Sequence, residues 1–150
     1  MILDNGTTAM TGHQPHPGVD TVPMGVELTQ ISIEDLVRGL GVKDVHVVKP
    51  FKLKKTIEAV KATMKYDGIS VIISKELCPL FAKATGQFKK TKPFYVNQNK
   101  CKNHRDCINL LACPAMFLEE DQVEIDKNLC IGCSVCAQVC PENAILPVKG

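Results

Sequence analysis

Cys130, Cys133, Cys136 and Cys140, the last followed by Pro141, place four thiols within eleven residues. Thiolates are soft ligands suited to zinc or to iron–sulfur clusters. Zinc sites usually pair two separated Cys-x2-Cys knuckles. Three cysteines at successive spacings of three, then a Cys-Pro, instead fit the corners of an iron–sulfur cubane. A second run lies upstream, made of Cys101, Cys107 and Cys113-Pro114, with His104 where a cysteine would complete the spacing. That histidine is either an imidazole ligand or an ordinary loop residue beside an incomplete site, and the spacing alone allows both.

The two runs are halves of an internal repeat. With Cys101 set against Cys130, "FYVNQNKC" lies over "VEIDKNLC", Asn99 over Asn128, His104 over Cys133 and Cys107 over Cys136. Cys113-Pro114 meets Cys140-Pro141 after a slip of two residues. Each half reads as a short strand, a cysteine run, a helical turn and another short strand. "MFL" (116–118) and "QVEI" (122–125) flank an acidic turn and predict a hairpin. Residues 94–150 thereby resemble the two-cluster bacterial ferredoxin domains. The resemblance implies a βαβ-type repeat holding two [4Fe-4S] clusters with crossed ligands. One cluster would take Cys130, Cys133 and Cys136 with Cys113 from the other half. The other would take Cys101, Cys107 and Cys140, with His104 at the remaining place. The wider Cys107-x5-Cys113 gap is a second departure from the pattern.

The N-terminal stretch "ILDNGTTAMTGHQPHPG" (2–18) offers a different chemistry. It is rich in Gly, Pro and Thr and reads as a loop after a very short apolar strand. His13 and His16 form an H-x2-H pair, by itself a weak metal signal. The form "TTAMTGHQPHPG" is similar to the second half of the thiamine diphosphate motif in 2-oxoacid:ferredoxin oxidoreductases, most of all in the large subunits of the indolepyruvate type. That resemblance implies that the Asn5 side-chain oxygen and the Thr7 carbonyl face Mg²⁺. Gly6 would turn the backbone beside the cofactor; Asp4, at a strand end, either fixes the loop or caps it, and His13 and His16 are either near the substrate, as the resemblance implies, or plain residues of a Pro-Gly loop. The motif's opening Gly-Asp-Gly occurs nowhere in the 150 residues, so the chain is expected to be the C-terminal piece of a larger subunit carrying half of the site.

The activity so implied is oxidative decarboxylation of aryl 2-oxoacids, such as indolepyruvate, to acyl-CoA, with electrons passing to ferredoxin. The implied partners are the rest of the large subunit or a separate thiamine-binding chain, a small (beta) subunit, and ferredoxin. A reading from another class is a non-enzymatic ferredoxin-like electron carrier in which residues 1–93 only dock a partner. A third is a zinc-binding interaction module.

Composition bounds these readings. Apolar residues make up 45% and charged residues 23% of the chain, with a net charge of +2 and no Trp. That balance gives no ground for nucleic-acid binding, and no apolar run approaches the roughly 18 residues of a membrane span. The start has neither a basic n-region nor a long apolar h-region, so a cytoplasmic location is expected. Seven of the eight cysteines crowd into residues 101–140, which speaks for metal ligation over disulfides.

These groups need elements to hold them. Ser32 offers an N-cap to "IEDLVRGLG", with Gly39 or Gly41 as the stop. "VHVV" (45–48) predicts a strand, and residues 52–66 predict a helix with Leu53, Ile57, Val60 and Met64 as its core stripe. "ISVIIS" (69–74) is an uninterrupted apolar run of the kind a buried parallel strand shows. The fold class is therefore α/β. Residues 1–78 are expected to be the C-terminal portion of a thiamine diphosphate-binding domain. Residues 79–93 are expected to be a basic linker, either solvated or a docking patch for an acidic redox partner. Residues 94–150 are expected to form a small α+β two-cluster domain.

Overall fold

The apolar run at 69–74 becomes the central strand of a parallel sheet, the position in which both faces of a strand are covered. In the computed structural model, residues 1–19, 29–88 and 91–149 are described. The tail of the opening loop and Lys89-Lys90 of the expected linker lie outside the described residues. The chain divides into two compact units, Met1–Phe88 and Lys89–Gly150.

The first unit carries strands β1 (Ile2–Asp4), β2 (Asp44–Val48) and β3 (Ser70–Lys75) in the order β1-β3-β2, with both pairings parallel. Ile72 and Ile73 of β3 are both buried, which accounts for the unbroken apolar run. Helix α1 (Ile33–Gly39) starts as expected at Ser32, whose hydroxyl oxygen accepts the Asp35 N–H at 3.1 Å. It ends before Gly41, which takes the left-handed φ of +87° that glycine tolerates.

Helix α2 (Leu53–Thr63) makes the crossover from β2 to β3, but its inward face corrects the expected stripe. Ala59 is its buried residue, packed with Val48 and Ile72, while Ile57 and Met64 are exposed. Thr56, Val60 and Thr63 are partly buried. Val60 of the expected stripe does pack beside Ala59 against this core, whereas Ile57 and Met64 do not. The expected linker is also corrected, because Pro79–Ala84 forms a further helix, α3. Pro79 presets its first turn, Ala82 is buried, and the Phe88 N–H closes back on the Ala82 carbonyl at 2.9 Å. Of the basic residues that suggested a linker, Lys83 lies on this helix and is exposed, next to the buried Ala82.

The second unit folds as the repeat predicts. Its elements are β4 (Phe94–Val96), α4 (Asp106–Asn109), β5 (Met116–Glu119), β6 (Gln122–Ile125), α5 (Val135–Val139) and β7 (Ile145–Pro147). β4 pairs antiparallel with β7, and β5 with β6. Glu120 and Asp121 close the β5–β6 hairpin with φ of 44° and 69°, the left-handed pair a tight hairpin turn requires. Val96, Ala115, Val123, Ile125, Cys136 and Ile145 form the core, and five further cysteines, Cys101, Cys107, Cys113, Cys130 and Cys140, pack against it with their neighbours.

Candidate functional site

Each cysteine run in the second unit is hung from its strand by the same hydrogen bonds. The Cys101 N–H donates to the Asn97 carbonyl at 3.0 Å, and the Cys130 N–H to the Asp126 carbonyl at 2.9 Å. The side chains of Asn97 and Asp126 each accept the N–H two residues on, at 3.1 and 2.7 Å. Further amides turn toward sulfur: Phe94 N–H to Cys130, Asn103 N–H to Cys101 and Ala144 N–H to Cys140, each at 3.4 Å. Such bonds stabilise negative charge on sulfur and tune a cluster's potential.

The thiols sort into two cavities, and the sorting is crossed. Cys101, His104, Cys107 and Cys140 line one. Cys113, Cys130, Cys133 and Cys136 line the other. The electrostatics divide them the same way. Burial pushes the Cys107 thiol up, and nearby Cys140 and Cys101 push in the same direction. Burial, then Cys133, with smaller pushes from Cys130 and Cys113, takes Cys136 up to about 11. These thiols hold their protons until a metal displaces them. All eight cysteines are free. Among the described residues no three donors close on a point as ligands of one ion must; the thiols ring the cavities instead, and each thiolate of a cubane binds a different iron. The donor sets fit the crossed assignment: four sulfurs at one cavity, three sulfurs and an imidazole at the other.

The loop of the first unit follows the carboxyl end of β1, where open parallel α/β sheets bind ligands. Asp4 is buried, lies 3.7 Å from Lys75 Nζ and accepts the Gly6 N–H at 3.4 Å. Asn5 Oδ1 accepts the Thr7 N–H at 3.1 Å. Gly6 has φ +74°, and a Cβ there would stand 2.6 Å from Leu77 Cδ1. Thr7 is buried, with its hydroxyl donating to the Gln14 carbonyl at 3.2 Å. The His13 ring lies 5.5 Å from that of Phe81, and its buried Nδ1 has no hydrogen-bond partner. His16 turns inward on its own loop, accepting the Gly18 N–H through Nδ1 at 3.1 Å. Asp4, Gly6, Gly18, Lys75, Leu77 and Phe81 border a shared cavity. Of the expected cofactor residues, Asp4 and Gly6 border this cavity and Asn5, Thr7 and His13 do not; the tight turn at Gly6 and the orphaned Nδ1 of His13 are the features that would suit a polar ligand.

Sequence reasoning missed Glu142, whose carboxylate lies 3.1 Å from His104 Nε2. The two are 38 residues apart, and no spacing rule joins them. It missed Asp121 as well, which accepts from Arg105 through its side chain and from Asn103 through its carbonyl. Phe81, the ring beside His13, was hidden in the expected linker.

Comparison with known proteins bears on both units. Residues 1–74 match the family model described as thiamine pyrophosphate enzyme, C-terminal TPP binding domain, and residues 123–146 match the 4Fe-4S binding domain. The chain therefore joins a thiamine diphosphate-binding unit to a 4Fe-4S unit. It is 41% identical over 150 residues to indolepyruvate oxidoreductase subunit IorA of Archaeoglobus fulgidus, covering 99% of this chain and 24% of that one. It is 46% identical over 147 residues to the subunit of the same name from Methanothermobacter thermautotrophicus, covering 98% and 23%. Pyruvate synthase subunit PorD of Methanothermobacter marburgensis is 39% identical over 61 residues, covering 41% of this chain and 70% of that one. The chain belongs to the 2-oxoacid:ferredoxin oxidoreductase family and corresponds to the C-terminal part of its IorA-type subunits. It spans about a quarter of the length of those relatives. No solved structure matches it. The run carrying His104 lies outside the matched iron–sulfur segment. Among the described residues no helix is long and apolar enough to cross a membrane.

Proposed function

We propose that this chain is the electron-exporting end of an indolepyruvate-type oxidoreductase that decarboxylates aryl 2-oxoacids to acyl-CoA and reduces ferredoxin. The observation that carries this reading is the pairing, in one chain, of a β1 loop that fits one side of a polar cofactor with two crossed cysteine cavities. The match to IorA subunits along nearly the whole chain supports it. When bound, thiamine diphosphate supplies the carbon nucleophile and electron sink for loss of CO₂. In the first unit, Asn5 Oδ1 and the Thr7 carbonyl hold Mg²⁺, Gly6 lets the backbone pass close, and Asp4, tied to Lys75 and the Gly6 amide, keeps the loop in shape. His13, backed by Phe81, faces the ligand. In the second unit the crossed thiols hold one-electron carriers, and the amides directed at sulfur stabilise their reduced, more negative state.

The rest of the large subunit supplies the other half of the Mg²⁺ site. A small subunit completes the enzyme, ferredoxin is the acceptor, and the assembly works in the cytoplasm. To test this, the complex is isolated through this chain under anaerobic conditions and ferredoxin reduction is followed with CoA and either indolepyruvate or pyruvate. Faster reduction with indolepyruvate is expected. Faster reduction with pyruvate would overturn the aryl assignment. Electron transfer that needs no 2-oxoacid would overturn the enzyme reading in favour of a simple carrier.

A further inference from the structure

We propose that His104 is the fourth protein ligand of the cluster at the Cys101–Cys107–Cys140 cavity, binding iron through Nδ1, and that Glu142 is the positioning residue that holds its ring. The inference rests on the iron–sulfur reading given above and concerns only which residues complete the atypical site.

The backbone places His104 where its counterpart is a thiol. In the all-cysteine run, Cys133 sits between Gly132 and Ser134, with φ of 68° and 64°. His104 sits between Asn103 and Arg105, with φ of 55° and 63°. Left-handed conformation is unfavourable for residues other than glycine, least so for Asn and Asp. The first run nonetheless keeps the ligand-loop shape with Asn and Arg flanking the histidine. Asp121 braces both flanks: its carboxylate takes the Arg105 guanidinium, and its carbonyl accepts from Asn103 Nδ2 at 2.9 Å. A loop with a vestigial ligand position has no need of this shape.

Glu142 fixes the tautomer. A carboxylate only accepts, so the 3.1 Å contact to Nε2 puts a proton there, and in the neutral ring that a metal binds the lone pair is then on Nδ1. Metal-bound histidines commonly give their second ring N–H to a carboxylate, which sets ring orientation and strengthens the donor. The repeat shows that only the histidine's cavity gains a residue such as Glu142. The Asn97 N–H donates to the Ala144 carbonyl and the Asp126 N–H to the Ala115 carbonyl, both at 2.8 Å. These alanines are therefore equivalent. Pro114 is followed at once by Ala115, whereas Glu142 and Asn143 intervene between Pro141 and Ala144. The cavity with an imidazole has a carboxylate at its rim, and the cavity with four sulfurs has buried Ala115.

A neutral imidazole in place of a thiolate leaves the cluster one unit less negative. Its reduction potential therefore rises above that of its neighbour, as His-for-Cys exchange does in Rieske centres.

The test uses the full chain, reconstituted anaerobically with iron and sulfide. Wild type is expected to carry about eight irons, as two cubanes require. One reduced cluster should show a directly coupled nitrogen in pulsed paramagnetic resonance. His104→Cys should keep the iron, abolish that coupling and lower that cluster's potential. His104→Ala should lose one iron as a three-iron centre, or lose about four. Glu142→Gln, which can still accept from Nε2–H, should keep the coupling, while Glu142→Ala should weaken it and shift that cluster's potential. If wild type shows two clusters without nitrogen coupling, or one cluster only, the ligand assignment fails while the iron–sulfur reading stands. If neither cavity takes up a cluster, the broader reading fails as well. If Glu142→Ala leaves coupling and potential unchanged while His104→Ala loses iron, Glu142 has no positioning role.

Discussion

Cys113 is the residue on which the crossed arrangement turns. It belongs in sequence to the run of Cys101 and His104, yet it lines the cavity of Cys130, Cys133 and Cys136 and pushes the Cys136 thiol up. Cys113→Ala is therefore expected to strip one corner from the all-sulfur cluster, giving a three-iron centre or losing about four irons. The cluster beside His104 should keep its spectrum. Paramagnetic resonance with iron analysis separates the outcomes, and damage confined to the His104 side would reverse the wiring. This part of the site was legible because cluster chemistry fixes covalent spacing, and spacing is written in the chain. Glu142 was not legible, because its contact with His104 depends on the two extra residues that follow Pro141, and a length difference does not announce where a carboxylate will point. The exposure of the two side chains, 48% and 38%, would make the pair a weak surface contact if it served nothing else.

At the scale of elements, the start of the β2–β3 pairing carries a pH-sensitive clasp. Asp44 faces Ser70 in register, and the Ser70 hydroxyl donates to its carboxylate at 2.5 Å. That bond, aided by His46 and opposed by burial, holds the Asp44 carboxyl below its ordinary range. A depressed carboxyl stabilises the fold above its unfolded value, about 3.9, and the contribution fades as pH falls through the lower folded value. Ser70→Ala should speed amide exchange along β3 several-fold near neutral pH. The difference from wild type should shrink below about pH 4. A gap that stays constant into acid would show that the hydroxyl acts through packing. Strands, caps and the hairpin were readable because a central parallel strand, a Ser cap and an acidic turn each leave a local mark. The α2 face was misread because apolar spacing reports amphipathicity but not how far the helix is rotated over its sheet. Ala59 and Val60 make the contact, and Ile57 is left exposed. α3 was missed because the lysines of residues 83–92 outweighed the single apolar turn of Leu80, Phe81 and Ala82 in a composition-based reading.

At the scale of the molecule, the first unit has a cofactor-binding edge whose chemistry its own residues leave unfinished. Among the described residues β1 pairs with β3 on one side only, and Leu3 and Met1 are largely exposed. Of the oxygens at the end of β1, the Asp4 carboxylate is occupied by Lys75 and the Gly6 amide, and the Thr7 hydroxyl is turned to Gln14. The Asn5 amide oxygen and the Thr7 carbonyl remain. Mg²⁺ wants six oxygens in near-octahedral array and gives up its waters reluctantly, so two neutral donors without a carboxylate are a poor site. The 150-residue chain on its own should therefore give no saturable heat when titrated with Mg²⁺ and thiamine diphosphate at micromolar concentrations. Under the proposed function, adding the portion of the large subunit expected to supply the other half of the Mg²⁺ site should create binding, and Asn5→Ala should weaken it in that assembly. Micromolar affinity in the isolated chain would mean that the β1 loop, with the unpartnered Nδ1 of His13 beside it, forms a complete site by means other than the shared Mg²⁺.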